Sequence, residues 1–312
     1  MRSNSILNDL RSTFTRDNNS LNQLILVNVL VFLVLSIVAV IVALFQLEAG
    51  WYLRISRYLA VPASLGNLLY RPWSLLSYMF VHAGFFHILF NMLWLYWIGQ
   101  IFQEYLGSKK LVAVYFLGGF AGAFMYMLAF NIFPLFRSII DTSFAVGASA
   151  SVLAVVVGAA TLLPNFTIRL FLFGNVPLKY LALAMVIIDL LSASGSNAGG
   201  HFAHLGGAVF GFVYIKQLQA GRDLGAGFDR VVDWLVTTFK PGKKSRLKVS
   251  YKNPGTNKAA SVKTAASSPA AATTSNKVPQ EVIDRILDKI AQNGYDGLSK
   301  EEKEQLFRAS KQ

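Results

Sequence analysis

Six long apolar runs constrain this chain more than any other feature of its sequence. They cover residues 21–45, 87–102, 111–130, 147–163, 176–191 and 203–218. As helices rising about 1.5 Å per residue, such runs are roughly long enough to cross a hydrocarbon core of about 30 Å. With 54% of residues hydrophobic and only 14% charged, the chain has too little polar surface for a water-soluble domain of its size. The expected fold class is therefore all-α, a polytopic membrane protein with six transmembrane helices. The first run is longer than the apolar core of a cleaved signal peptide, and no small-residue cleavage site follows it closely. It is expected to stay as a helix.

The runs also carry packing instructions. Ala150, Ala154 and Gly158 recur at four-residue steps, as do Gly207 with Gly211 and Gly118 with Gly122. Small residues at that spacing let helix backbones approach closely. Orientation follows from the flanking cations. With the N-terminus inside, the inner side receives Arg2, Arg11, Arg16, Lys109, Lys110, Arg169, Lys179 and a basic tail, and the outer side keeps Arg54, Arg57, Arg71 and Arg137. Residues 47–86 are too apolar for a plain loop. Trp51, Tyr52, Tyr70, Trp73 and Tyr78 suit the outer interface, and a small extracytoplasmic subdomain is the alternative.

Four segments are expected: a cytoplasmic N-terminus at 1–20, a membrane domain at 21–218, a basic, disordered linker at 219–278, and a small helical element at 279–312. The net charge of +13 lies mostly outside the apolar runs, with a basic stretch from Lys240 to Lys252 in the C-terminal tail that can meet the inner leaflet. Charge placed there excludes nucleic acid as the expected partner; the bilayer is one instead. Within 279–312, Val282, Ile283, Ile286, Leu287 and Ile290 recur with helical period. Asn293-Gly294 breaks the pattern, and Ser299 with Glu302 makes a capping box for a second helix. The piece is too small for a large core and suits docking to a cytoplasmic partner.

A polar side chain inside a membrane helix is costly, so each one needs a partner or a task. His87 and Asn91 are four apart and share one face of the second run; interhelical glue is the plain alternative. Ser149 falls in the first turn of the fourth run, where backbone N–H groups lack intrahelical partners and the helix dipole is positive. Such a place stabilises an oxyanion, although most serines in helices only bond back to a carbonyl. His204 opens the sixth run beside His201, and an imidazole titrates near working pH. A metal is the competing reading for these histidines. No His-Glu-x-x-His, no cysteine and no sequence-adjacent carboxylate supports it, so neither metal nor cofactor is expected. Runs two, four and six all lead inward from the outer face, so His87, Asn91, Ser149 and His204 are expected at one depth.

Three motifs then carry a resemblance. His82-Ala-Gly-Phe-Phe-His87-Ile-Leu-Phe-Asn91, Gly147-Ala148-Ser149-Ala150 and Ala203-His204-Leu205-Gly206-Gly207 resemble, in order, the motifs of the rhomboid family of intramembrane serine proteases. The likeness is to the bacterial type with a C-terminal cytoplasmic extension and covers residues 21–218. Two departures stand out: Ser74 follows Trp73 where the family often has Arg, and Ala150 stands where Gly is commonest. The resemblance implies a six-helix rhomboid-like bundle, with Ser149 as nucleophile and His204 as general base and no third acidic member. It also implies an oxyanion site made by His87, Asn91 and the Ser149 N–H. The implied activity is cleavage of single-pass membrane proteins near the extracytoplasmic face, in a bacterial inner membrane with both termini cytoplasmic. The stretch 192–200, rich in Gly and Ser, is a candidate lid. A catalytically inactive rhomboid-like protein that binds or escorts membrane helices is the alternative, and a transporter would call for an internal repeat that is not seen. Because the catalytic groups are expected at the outer end and the tail inside, removing everything after about Lys240 should leave proteolysis in detergent within about twofold. Kinetics of the truncated protein would check this.

Overall fold

The computed structural model describes residues 19–46, 50–170, 174–195, 197–239 and 280–309. The expected N-terminal segment before Asn19 and the linker over 240–279 lie outside the described residues. The chain divides into two compact units, Met1–Lys244 and Ser245–Gln312, and each is described by itself.

The first unit begins with α1, Ser20–Leu44, which is apolar on every side. Leu33, Val34, Ile37 and Val40 lie about half exposed among the described residues. Such a contiguous apolar surface is unsuited to water and matches hydrocarbon. Its one buried polar residue, Asn28, donates its side-chain amide to the Leu24 carbonyl and to Tyr115 Oη at 2.8 and 3.0 Å, while its Oδ1 has no partner among the described residues. Three short helices follow, α2 (Gly50–Leu59), α3 (Leu65–Tyr70) and α4 (Ser74–Ser77), arranged about a strand β1 (Val61–Pro62). The expected aromatic segment is therefore built from short helices. It is pinned by the Trp73 indole donating to the Tyr58 carbonyl at 3.1 Å and by Arg71 donating to that of Arg57 at 2.7 Å.

Segment α5, Phe85–Ile132, contains the second and third apolar runs as two helices that meet at a kink. Gly107 breaks it, with φ 81° and ψ 166°, a left-handed region that glycine enters without a Cβ penalty. Among the described residues, α1 and α5 are long and apolar enough to cross a membrane by length and composition. Shorter apolar helices complete the bundle: α6 (Ser149–Leu162), α7 (Leu178–Ser192) and α8 (Ala198–Gln219). Strand β2 (Phe144–Ala145) pairs antiparallel with β1 just before α6. Strands β3 (Thr167–Leu170) and β4 (Gly174–Pro177) form a second antiparallel pair between α6 and α7.

Helices α5, α6 and α8 meet through the small residues singled out above. A Cβ built on Gly118 would lie 2.3 Å from Ala154 Cβ, and one on Gly207 would lie 2.1 Å from the Ala150 carbonyl oxygen. The backbones therefore touch directly, which is how apolar helices gain contact where no hydrophobic drive separates them from lipid. Helix α7 is the loosest member: Leu183, Ile187, Ile188, Leu190 and Leu191 are exposed, while Asp189 is buried.

One expectation needs correcting. The basic linker, placed from 219, begins with an ordered helix, α9 (Ala226–Phe239). Acidic residues in it and just before it hold it to the break in α5: Lys110 pairs with Asp223, ahead of the helix, and, at 3.2 Å, with Asp229, while Lys109 pairs with Asp233 at 2.9 Å. Burial pushes the Asp223 carboxyl up, yet hydrogen bonds from Lys110 and the Gly225 N–H outweigh it and hold the group below the usual carboxylate range.

In the second unit, α10 (Gln280–Asn293) and α11 (Lys300–Ala309) flank a glycine, Gly294, at φ 72°. Ser299 and Glu302 form a reciprocal cap: the Ser299 N–H donates to Glu302 at 2.8 Å and the Glu302 N–H to Ser299 Oγ at 3.2 Å. Lys289 bonds to the same Glu302 at 2.9 Å, and Ile286 and Leu298 supply buried apolar surface.

Candidate active site

Ser149 is the first residue of α6. Gly147 precedes it with φ 128°, and a Cβ there would lie 2.8 Å from both Cε1 and Nε2 of His87. Glycine is therefore required twice over, for its backbone conformation and for the imidazole against it. The turn is held by the Gly147 N–H donating to the Tyr78 carbonyl at 2.9 Å, and by a long contact of 3.5 Å from the Ala148 N–H to His82 Nε2. Ser149 thus presents its hydroxyl at a helix N-terminus, where first-turn N–H groups point outward without intrahelical acceptors.

Helix α8 brings His204 to this turn. Gly207, one turn further on, rests on the Ala150 carbonyl, so the close approach of the two backbones fixes the gap between the side chains that precede it. His204 Nε2 lies 2.7 Å from Ser149 Oγ. A serine oxygen at hydrogen-bond distance from an imidazole is the geometry an activated nucleophile requires.

The other expected groups lie on the first turns of α5. His87 Nδ1 accepts from the Ala83 N–H at 3.4 Å, which favours the proton on Nε2, the nitrogen beside Gly147. Asn91 is buried and donates one amide hydrogen to the His87 carbonyl at 2.8 Å, leaving the second for another acceptor. His87, Asn91, Ser149 and His204 all line one cleft of about 850 Å³, whose wall also includes Phe86, Phe90 and Trp94. Its walls are largely apolar, with a few polar groups converging on the cleft.

The sequence reading missed one group. Asp189, near the end of α7, places Oδ1 2.8 Å from His204 Nδ1 and 2.7 Å from His201 Nδ1. The resemblance implied no third acidic member, yet a carboxylate stands against the base. Its signal was available, since Asp189 is the single acidic residue in the run 176–191 and an ionised group in an apolar helix calls for a partner. The donor atoms of Asp189, His201 and His204 lie within 4.8 Å of one another, a spacing open to a metal ion. A tetrahedral zinc with bonds of about 2 Å would hold its ligand atoms about 3.3 Å apart, wider than the two imidazole–carboxylate distances, which are those of hydrogen bonds.

One family model matches the part of the chain that holds this site. Residues 70–219 match the rhomboid domain. That domain holds His82, His87, Asn91, Ser149, Asp189, His201 and His204. Among relatives, RHOMBOID-like protein 1 of Arabidopsis thaliana is 32% identical over 155 residues, covering 48% of this chain and 36% of that protein. RHOMBOID-like protein 2 of the same plant is 30% identical over 144 residues, 46% of this chain and 41% of that protein. Rhomboid protease GlpG of Klebsiella pneumoniae subsp. pneumoniae is 32% identical over 59 residues, 19% of this chain and 21% of that protein. The chain thus spans well under half the length of each of these relatives. These matches support the rhomboid family and, together with the apolar helices, an integral membrane protein. Residues 275–312 match a family of unknown function, DUF6576.

Proposed function

We propose that this chain is a rhomboid-family intramembrane serine endopeptidase of the bacterial type, cleaving membrane-protein segments near the extracytoplasmic face. The observation that carries the reading is the 2.7 Å contact between His204 Nε2 and Ser149 Oγ at a helix N-terminus. The helical segments of the first unit cross the membrane six times, α5 contributing two crossings about Gly107, with both termini cytoplasmic in a bacterial inner membrane.

In the reaction, His204 Nε2 takes the Ser149 proton as Oγ attacks the scissile carbonyl carbon. The tetrahedral oxyanion is held by the Ser149 N–H, His87 Nε2–H and the free amide hydrogen of Asn91. The imidazolium then gives its proton to the leaving amine, and water, deprotonated in turn by His204, hydrolyses the acyl-enzyme. Substrates are single-pass membrane proteins, and the C-terminal element docks a cytoplasmic partner. The reading is tested with a fluorophosphonate probe on the detergent-solubilised protein. Labelling is expected in the wild type and absent in Ser149→Ala; a wild type that stays unlabelled would leave the inactive, helix-binding reading in its place.

The oxyanion assignment has its own consequence. His87→Ala or Asn91→Ala should lower turnover by roughly tenfold to a thousandfold while leaving KM nearly unchanged. Steady-state kinetics with a melting curve separates this from interhelical glue, which would show as a collapsed melting temperature.

A further inference from the structure

We propose that Asp189 is a positioning residue for the general base, fixing the tautomer and orientation of the His204 ring, with His201 as the second anchor of the carboxylate. The proposal rests on the serine-endopeptidase reading. It starts from the placement of Asp189 itself, a buried carboxylate on a helix whose neighbouring positions Ile187, Ile188, Leu190 and Leu191 all face outward. An ionised group in such a setting needs hydrogen-bond donors to hold it.

A single oxygen, Oδ1, meets the Nδ1 atoms of both His201 and His204, at 2.7 and 2.8 Å. An ionised carboxylate only accepts, so both imidazoles must present Nδ1–H to it. For His204 this leaves the lone pair on Nε2, the nitrogen 2.7 Å from Ser149 Oγ. The opposite tautomer would set a lone pair against the carboxylate and aim an N–H at the serine, where it could not receive a proton. When the Ser149 O–H breaks and the Nε2–H forms, the resulting imidazolium sits beside a negative charge already in place. Asp189 itself stays ionised throughout.

His201 has a different part. It lies three residues before His204 on one face of α8, the two rings edge to face with centroids 5.9 Å apart, and it reaches Asp189 rather than Ser149. Its N–H gives the buried carboxylate a second donor, so the oxygen is held from two sides. The short connection from Ala193 to Asn197 between α7 and α8 is what allows the end of one helix to meet the first turns of the next.

The test uses the full-length protein in detergent. Fluorophosphonate labelling of the wild type first establishes that the serine reacts. Asp189→Ala and Asp189→Asn are then expected to lower kcat by about a hundredfold to ten-thousandfold with KM within about threefold, the loss seen when a base is left in the wrong tautomer. His201→Ala should cost only several-fold. Formate, the smallest carboxylate, should restore part of the activity of Asp189→Ala. The chain has only 4 histidines, so 15N-histidine labelling resolves tautomers directly: two Nδ1–H imidazoles tied to Asp189 should be present in the wild type and lost in the Asp189 variants. Asp189→Ala with kcat within threefold of wild type would overturn the proposal. So would a loss that accompanies a fall in melting temperature and is not restored by formate. If the wild type is not labelled, the endopeptidase reading fails, while the tautomer spectrum still decides whether Asp189 orients His204.

Discussion

Ser149→Ala and His204→Ala should each abolish cleavage of a model transmembrane substrate, lowering kcat/KM by at least about a thousandfold, with melting temperatures within a few degrees of wild type. The two side chains meet only across a 2.7 Å hydrogen bond, and neither fills the contacts that hold α6 against α8, which are made by Ala150, Ala154, Gly207 and Gly211. Removing either leaves the helix packing in place and takes away one half of the proton transfer. Because the pair acts as a unit, the double variant should be no worse than the more damaging single one, as expected where one lost member already disables the chemistry. Gel-based cleavage with purified variants and a thermal melt on the same samples measures both quantities. Wild-type turnover in either variant would remove that residue from the mechanism.

Much of this site was legible because membrane helices tolerate so few polar groups. Ser149, His204, His87 and Asn91 stand out against apolar neighbours, and the alternating direction of the expected spans put them at one expected depth. The small-residue steps were readable too, since Ala and Gly at four-residue intervals mark a face along which backbones can touch. Other features had weaker signals. The pairing of β1 with β2 involves two residues on each side, too few for any alternation to register. Helix α9 was hidden in a stretch read for its charge, although Asp229 and Asp233 are one helical turn apart and find Lys110 and Lys109 only once the chain has folded back.

Asp189 was missed for a different reason. A search for a carboxylate close to His204 in sequence looked at the wrong distance, because the partner comes from the preceding helix across a turn. The better rule is local to α7: an acidic residue in an apolar run states that something cationic or hydrogen-bond donating faces it, and the two imidazoles opening α8 are the nearest such groups. The break at Gly107 shows the same division. Polar residues between the second and third runs announced an interruption, and the left-handed backbone at Gly107 is where the two helices of α5 meet at a kink.

Gly207 offers the sharpest test of how packing sets the chemistry. A Cβ at this position would lie 2.1 Å from the Ala150 carbonyl oxygen, 2.8 Å from its carbonyl carbon and 3.2 Å from its Cα. These are backbone atoms of a buried helix and have no rotamer to move to. Gly207→Ala must therefore push α8 away from α6 by about 1 Å to reach ordinary contact, an overpacking change of the kind that costs about 1–3 kcal/mol. The same displacement acts one residue from Ser149 and one turn from His204, and a shift of that size at reacting groups costs about a hundredfold in rate. Gly207→Ala, and likewise Gly211→Ala against the Ala154 carbonyl at 2.2 Å, should lower the melting temperature and slow fluorophosphonate labelling together. Ser149→Ala, in contrast, removes labelling alone. Gly227→Ala serves as the control, because nothing lies within 4 Å of a Cβ there, and it should leave both readouts unchanged. Full labelling of Gly207→Ala at the wild-type rate would show that the two helices are not held as closely as the contact between Gly207 and Ala150 requires.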